Sequence, residues 1–116
     1  MLKFEKYGFY HRRDRHDYCV QFYKDSVLVG LCRVFESHFI NNAVELWGFS
    51  IIGQYRGKGM GQQFLQELIA HYSNNTIVLF VEKTNERALH IYHKLGFKIV
   101  GEYRGGNYAW EMRLER

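Results

Sequence analysis

The spacing of apolar residues changes once along this chain, near residue 53, and that change limits what the chain can fold into. Upstream, apolar residues form short runs or alternate with polar ones, as Tyr18, Val20 and Phe22 do on a half-buried strand. Downstream, the spacing becomes that of one helical stripe, with apolar side chains at Met60, Phe64, Leu65, Leu68, Ile69 and Tyr72. A glycine-rich turn separates the two patterns, so strands lead directly into a helix.

The remaining segments complete a mixed order of strands and helices. Asn85 is suited to cap a second helix and Gly96 to end it. Strands are predicted over residues 2–10, 16–23, 27–36, 43–52, 76–81, 97–103 and 108–114. The order is β-β-β-β-α-β-α-β-β. The strand–helix–strand unit across residues 43–81 predicts one parallel pair. The fold class is therefore α+β, with a mixed, mostly antiparallel sheet and helices packed on it.

Composition narrows the class of protein further. A length of 116 residues is enough for a single domain, which we place at residues 1–116. The longest purely apolar run, Ile77–Val81, is far shorter than the roughly 20 residues of a membrane helix. Two cysteines make no disulfide scaffold, and the first residues contain no signal-peptide core. These features predict a cytoplasmic protein. The net charge of +4 permits an anionic ligand but argues against nucleic acid as the main partner.

The turn itself, residues 54–61, has the features of an anion site. Its glycines allow the backbone to turn sharply and approach a ligand, and the first amide groups of the helix point outward. Arg56 and Lys58 add positive charge. A P-loop has four residues between its two glycines, whereas three residues separate Gly53 from Gly57. The glycine spacing also differs from the G-x-G-x-x-G of a dinucleotide-binding fold. A phosphate or pyrophosphate site is predicted, and a turn without a ligand is the alternative.

Two blocks of residues resemble one family. Arg56-x-x-Gly59-x-Gly61 is similar to the acyl-CoA signature of the GNAT superfamily of N-acetyltransferases, and a second block matches at Asn85, Ala88, Tyr92, Gly96 and Phe97. The resemblance covers about residues 43–100. Gly53 replaces a common proline. Residues 11–17 are too few and too charged for the two helices that most relatives carry there. The N-terminal helices are therefore expected to be reduced or absent, which leaves the acceptor side open or completed by another chain.

The resemblance implies that acetyl-CoA is the acetyl donor. No metal is expected, because His90 and His93 have no apparent third ligand. The pantetheine arm of acetyl-CoA would pair with the strand backbone at Phe49 and Ile51. Asn85 would bind that arm or only cap the second helix. The pyrophosphate would lie on the turn and the helix start, against Arg56, Gly57, Lys58, Gly59, Met60 and Gly61.

The implied reaction is direct attack of a primary amine on the acetyl thioester in a ternary complex. Glu45 matches the position of a general base, although it could be an outward-facing strand residue. Tyr92 matches the general acid, and its alternative is a core aromatic. His90 and His93 are secondary candidates for that acid, and as a metal pair they lack a third ligand.

The open acceptor side favours a protein lysine or N-terminus as the acceptor, and it leaves apolar edges that a homodimer would cover. An acceptor groove could be lined by Tyr103, Tyr108 and Trp110. Two other functions stay open. One is a non-catalytic acetyl-CoA-binding module, and the other is nucleic-acid binding through Arg12, Arg13 and Arg15.

Overall fold

A computed structural model describes residues 1–6 and 17–116. Its strands are β1 (Leu2–Lys6), β2 (Tyr18–Lys24), β3 (Val27–Glu36), β4 (Ala43–Ile51), β5 (Thr76–Glu82), β6 (Lys98–Glu102) and β7 (Ala109–Leu114). The helices are α1 (Met60–His71) and α2 (Glu86–Lys94), and Gly53–Tyr55 forms a single 3-10 turn. The strands form one sheet in the order β1-β2-β3-β4-β5-β7-β6. Only β4 and β5 are parallel among the described pairs, which confirms the predicted fold class.

Turn chemistry sets the ends of these elements. Asp25 and Ser26 have φ values of 50° and 66°, as a tight hairpin between β2 and β3 requires. The side chain of Asn85 accepts a hydrogen bond from the amide of Ala88 at 3.2 Å, so it caps α2. Gly96, with a φ of 102°, follows the end of that helix. The cap at Asn85 and the helix end at Gly96 were predicted from the sequence.

One apolar core lies between the sheet and the helices. The rings of Phe22 on β2 and Phe64 on α1 are nearly parallel, with centroids 5.1 Å apart, and both side chains are fully buried. Helix α2 packs more lightly, because its apolar residues such as Leu89 and Tyr92 are only partly buried against the same core. Full burial of one large apolar side chain contributes roughly 1.5 to 3 kcal/mol. Most of the helix burial therefore comes from α1, in which Phe64, Leu65 and Leu68 are buried.

The opposite side of the sheet is called here the open face. Side chains alternate along a strand, so Glu45 and Trp47 of β4 point away from the core that holds Leu46. Glu111 of β7 lies on the same side, and both Glu45 and Glu111 are buried, with 7% and 6% of their surface exposed. Two buried carboxylates mark this face as chemically distinct from the apolar core.

Some predictions from the sequence differ from the structure or concern residues outside the described ranges. The expectation for residues 11–17 lies, apart from Asp17, outside the described residues, as do Arg12, Arg13 and Arg15. Strand β6 begins after Phe97, which was predicted to lie in the strand and is instead buried in the core. Within the described ranges, none of the helices is long and apolar enough to cross a membrane.

Candidate functional site

The parallel strands β4 and β5 separate partway along their length. They are paired from Ala43 with Thr76 to Leu46 with Leu79, and the described register goes no further. Between two pairs of the β3–β4 ladder, Gly48 and Phe49 lie opposite the single residue Cys32, which is the pattern of a β-bulge. Gly48 has a φ of 60°. A bulge bends and twists its strand, so β4 turns away from β5 at this point.

The separation leaves a cavity of about 320 Å³, called here the splay cavity. Its walls are Leu46–Phe49 of β4 and Leu79–Glu82 of β5, with Asn85 and Tyr92 at one end. Trp47 and Phe80 close it towards the open face, since their ring centroids are 4.6 Å apart. The splay cavity thus has an aromatic wall on one side of the sheet and α2 on the other.

A second cavity, of about 500 Å³, continues from the first and is called here the turn cavity. It lies between the glycine turn with the start of α1 and the first turns of α2, and Phe49, Asn85 and Tyr92 line both cavities. The two spaces together make one path from the glycine turn to the splay. A long, thin ligand with an anionic end fits such a path.

The glycine turn presents unpaired amide groups to the turn cavity. Gly57 and Gly59 have φ values of 77° and 76°, and a Cβ added at either would meet nothing within 4 Å. Backbone conformation rather than space therefore requires glycine at both positions. Gly59 is the N-cap of α1, with no side-chain cap and no acidic residue in the first turn. The first amides of a helix have no partner within it, so this end of α1 suits an anion.

Arg56 is anchored beside these amides, whereas Lys58 is not. The Nε of Arg56 donates to the carbonyl oxygen of Ile51 at 2.9 Å, and Arg56 lines the turn cavity. Lys58 is exposed and does not belong to the described lining of either cavity. The two cations that the sequence placed together are thus separated by the fold.

Tyr92 stands where the two cavities meet. Its ring packs near Phe97 of the core, with centroids 6.1 Å apart. Burial raises the pKa of Tyr92 to about 12, and the nearby thiol of Cys32 adds to that rise. The hydroxyl therefore keeps its proton throughout the physiological range and is available as a hydrogen-bond donor. His90 and His93, the secondary candidates, are exposed and lie outside the described linings.

Glu45 is buried behind the aromatic wall and not in the described lining of either cavity. Its Oε1 accepts from the indole of Trp47 at 3.1 Å. Its Oε2 accepts from Ser37 Oγ at 3.1 Å and from Arg104 Nη2 at 3.2 Å. Three donors leave few positions on this carboxylate for water or an ammonium group. The sequence reading of Glu45 as a simple outward-facing residue does not fit this burial.

The fold therefore gathers most of the predicted cofactor residues. Seven of them line the turn cavity: Phe49, Ile51, Arg56, Gly57, Gly59, Met60 and Gly61. Asn85 and Tyr92 join them from α2. Sequence reasoning did not find Trp47, Phe80 or Arg104. No local pattern marks these three, since Arg104 meets Glu45 across 59 positions of the chain.

Two of the predicted groove residues lie on the open face. Tyr103 packs edge-on against Phe80 with centroids 5.1 Å apart, and Tyr108 packs on Tyr103 at 5.7 Å. Trp110 instead packs against the helix-side core, beneath the ammonium of Lys83. Among the described residues, no group of three or more His, Cys, Asp or Glu side chains is placed to hold a metal ion.

Comparison with known proteins shows which family the chain belongs to. The model of the acetyltransferase (GNAT) family matches residues 2–97, so the chain belongs to the GNAT acetyltransferase family. It is 33% identical over 79 residues to the spermine/spermidine N(1)-acetyltransferase of Bacillus subtilis, covering 65% of this chain and 52% of that protein. It is 34% identical over 85 residues to the spermidine N(1)-acetyltransferase of Escherichia coli K12, covering 67% and 44%.

A solved structure with the same fold is the spermidine N-acetyltransferase of Vibrio cholerae in complex with CoA and spermine. The TM-score is 0.72 at 21% identity, over 88% of this chain and 67% of that one. At this level of identity the likeness concerns the fold alone. The chain spans about half the length of the curated relatives that it matches.

Proposed function

We propose that this chain is an N-acetyltransferase that moves the acetyl group of acetyl-CoA to an unhindered primary alkylamine. One observation carries the proposal. A single path joins the unpaired amides at the start of α1 to a protonated tyrosine hydroxyl at the point where two parallel strands separate. The amides suit a pyrophosphate, and the proposal puts the reacting thioester beside the hydroxyl, where the two cavities meet.

The residues fit coenzyme A in several respects. The first turn of α1 has no acidic residue to repel a phosphate, and Arg56 supplies a positive charge beside it. Beyond Leu46, β4 has no β5 partner in the described register, so a pantetheine arm could pair with its backbone at Phe49 and at the amide of Ile51. The carbonyl oxygen of Ile51 already accepts from Arg56. Asn85 caps α2 and still lines both cavities, so the cap and the ligand role are compatible.

In the proposed reaction, the lone pair of the neutral amine forms a C–N bond to the thioester carbonyl as the C–S bond breaks. The proton lost by the amine passes to Glu45 or to solvent, and the departing thiolate takes a proton. For Glu45 to act as the base, one of its three donors must move away. Arg104 is the donor best placed to do so, because it comes from a loop and is 35% exposed.

We propose that Tyr92 serves the departing thiolate. Complete proton transfer from a hydroxyl of pKa about 12 to a thiolate, whose ordinary pKa is about 8.5, is uphill by roughly 5 kcal/mol. The main contribution of Tyr92 is therefore a hydrogen bond to sulfur as its charge develops, a contribution that is strongest in the transition state. A solvent proton can complete the exchange after release.

The acceptor follows from the shape of the splay cavity. A volume of about 320 Å³ behind an aromatic wall suits a slender alkyl chain. Both a small amine and a lysine side chain have that shape. The sequence favoured a protein lysine or N-terminus, whereas the relatives above are named for spermidine and spermine. Acetyl transfer to a matched panel of alkylamines, polyamines and lysine peptides separates the two, and turnover confined to one class excludes the other.

Binding and turnover together test the core of the proposal. Gly59→Asn and Gly59→Asp are a matched pair, because both side chains tolerate the left-handed conformation and only Asp adds a negative charge. We expect acetyl-CoA to bind the wild type and the Asn variant, and to bind the Asp variant at least about tenfold more weakly. Equal binding by the two variants contradicts the site. Binding without turnover of any amine favours the non-catalytic acetyl-CoA-binding module.

Three broader expectations stay predictions. The first is a homodimer, for which the edge strand β6 offers Ile99 and Val100 with 40% and 45% of their surface exposed. Size measurement in solution tests it. The second is a single domain over residues 1–116, which limited proteolysis tests. The third is a cytoplasmic location, which cell fractionation tests.

A further inference from the structure

Arg104 connects two buried carboxylates on the open face. It lies in the loop between β6 and β7, and its Nη2 is 3.2 Å from Oε2 of Glu45 on β4. Its Nε is 3.6 Å from Oε1 of Glu111 on β7. The guanidinium also stacks 4.0 Å above the ring of Phe39 and lies 5.4 Å from the ring centre of Phe80. The guanidinium of Arg104 thus reaches across β5 and pairs with one carboxylate on each of the two neighbouring strands, β4 and β7.

This ion cluster lies one side chain away from the splay cavity. Trp47 and Phe80 line that cavity, and the same two residues contact the cluster. The indole of Trp47 donates to Glu45, and Phe80 lies beneath Arg104. Consider an acceptor with a second functional group a short alkyl chain away from the amine that reacts. That second group would come close to Arg104.

A second arginine pairs with one of these two carboxylates. Arg113 is paired with Glu111, Nη2 to Oε2, at 2.8 Å. Glu111 thus has two guanidinium partners and Glu45 has one, so a further cation here has to displace Arg104 or lie beside it.

We propose that Arg104 determines acceptor specificity, by favouring amines with a single positive charge over amines with a second ammonium group a short chain away. The inference rests on the proposed function and narrows its substrate class. Without Arg104, Glu45 loses its guanidinium partner while keeping aromatic neighbours, and that environment suits an alkylammonium group. Arg104 therefore occupies a cation site that would otherwise be available to the substrate.

The test compares alkyl monoamines with diamines of equal length, in the wild type and in Arg104→Gln. We expect the wild type to give the higher kcat/KM with the monoamine, after correction for the two equivalent ends of the diamine. In Arg104→Gln the diamine-to-monoamine ratio should rise about tenfold, through a lower KM for the diamine. An effect on Glu45 as a general base moves both amines alike and cancels in the ratio, whereas binding of the second ammonium group does not. Arg104→Lys keeps the charge and should keep the wild-type ratio.

Further variants keep the result interpretable. Arg104→Gln/Glu111→Gln removes one carboxylate and should reverse the gain of the single variant. Thermal unfolding and acetyl-CoA calorimetry check that each variant is folded, since Arg104 lies in the described lining of neither cavity. A ratio that does not change in Arg104→Gln overturns the proposal. A wild type that already favours diamines, and loses that preference in Arg104→Gln, also overturns it.

A failure of the proposed function gives a different pattern. If the wild type acetylates no amine, calorimetry with the diamine alone still tests the cation site. Binding that appears only in Arg104→Gln supports the role of Arg104, and no binding in either protein overturns it.

Discussion

The guanidinium of Arg56 is tied to the end of β4, because its Nε donates to the carbonyl oxygen of Ile51 at 2.9 Å. This bond fixes a positive charge beside the first amides of α1 without using a carboxylate. The remaining guanidinium donors can therefore meet an anion in the turn cavity. Arg56 and Lys58 are close in sequence, but Arg56 lines the turn cavity and Lys58 lies outside its described lining. Their contributions to acetyl-CoA binding can therefore be compared by mutation.

We predict that Arg56→Ala weakens acetyl-CoA binding about tenfold, since it removes both the charge and the bond to Ile51. Lys58→Ala is the matched control, because Lys58 is exposed and outside the described cavity lining. It should change the dissociation constant by less than about threefold. Calorimetry on both variants measures the difference. Equal losses would mean that the turn acts only through its overall charge.

Tyr92→Phe should lower kcat by roughly 10² and leave the KM for acetyl-CoA nearly unchanged, because the role proposed for the hydroxyl is a hydrogen bond to the departing sulfur. Steady-state kinetics measure the split. Since the pKa of Tyr92 is raised to about 12, the wild-type rate should show no basic limb from this residue below pH 10. An unchanged kcat would remove Tyr92 from the catalytic step.

Stability should fall as the pH rises through the range in which the unfolded Tyr92 ionises. The folded pKa of about 12 exceeds the ordinary value of 10, so between these values the unfolded state binds fewer protons. The stability from Tyr92 is complete below pH 10 and is lost towards pH 12, by roughly 2 to 3 kcal/mol.

Denaturant unfolding at pH 8, 10 and 11 measures that loss. Tyr92→Phe should show a shallower decline than the wild type. It should not be flat, because burial also raises the pKa of the Cys32 thiol to about 12. Identical slopes for the two proteins would show that Tyr92 does not contribute.

Glu45→Gln and Glu111→Gln separate catalysis from structure, since both carboxylates pair with Arg104 and both are buried. Each variant should lose roughly 1 to 3 kcal/mol of stability, because an amide cannot accept from all the donors that now point at it. If Glu45 is the base, kcat/KM falls much further in Glu45→Gln than in Glu111→Gln. Equal activity losses would assign Glu45 a structural role only.

Much of the local structure is encoded in short stretches of sequence. The cap of α2 at Asn85 and its end at Gly96 depend on neighbouring residues, and both were predicted. The parallel β4–β5 pair also follows from a local pattern, because a helix of α1's length must return the chain beside the strand it left. The glycine turn was also recognisable in the sequence, and it predicted which end of the site suits an anion.

The acceptor side could not be predicted in the same way. Trp47 and Phe80 come from different strands, and Arg104 reaches Glu45 from a loop 59 positions away. The spacing of apolar residues in a helix or strand predicts which side of that element a residue faces. It does not predict which residue of another element that side chain contacts. The bulge at Gly48, which opens the splay, also depends on how β4 pairs with β3.

The order of elements, the glycine turn predicted to bind an anion and the family could all be inferred from the sequence, because each depends on residues a few positions apart. Two other facts could be seen only in the folded chain: Arg56 and not Lys58 belongs to the described lining of the path, and Glu45 is held by three donors behind an aromatic wall. Those facts are set by contacts between distant segments, which form only when strands pair and close-packed side chains settle against one another.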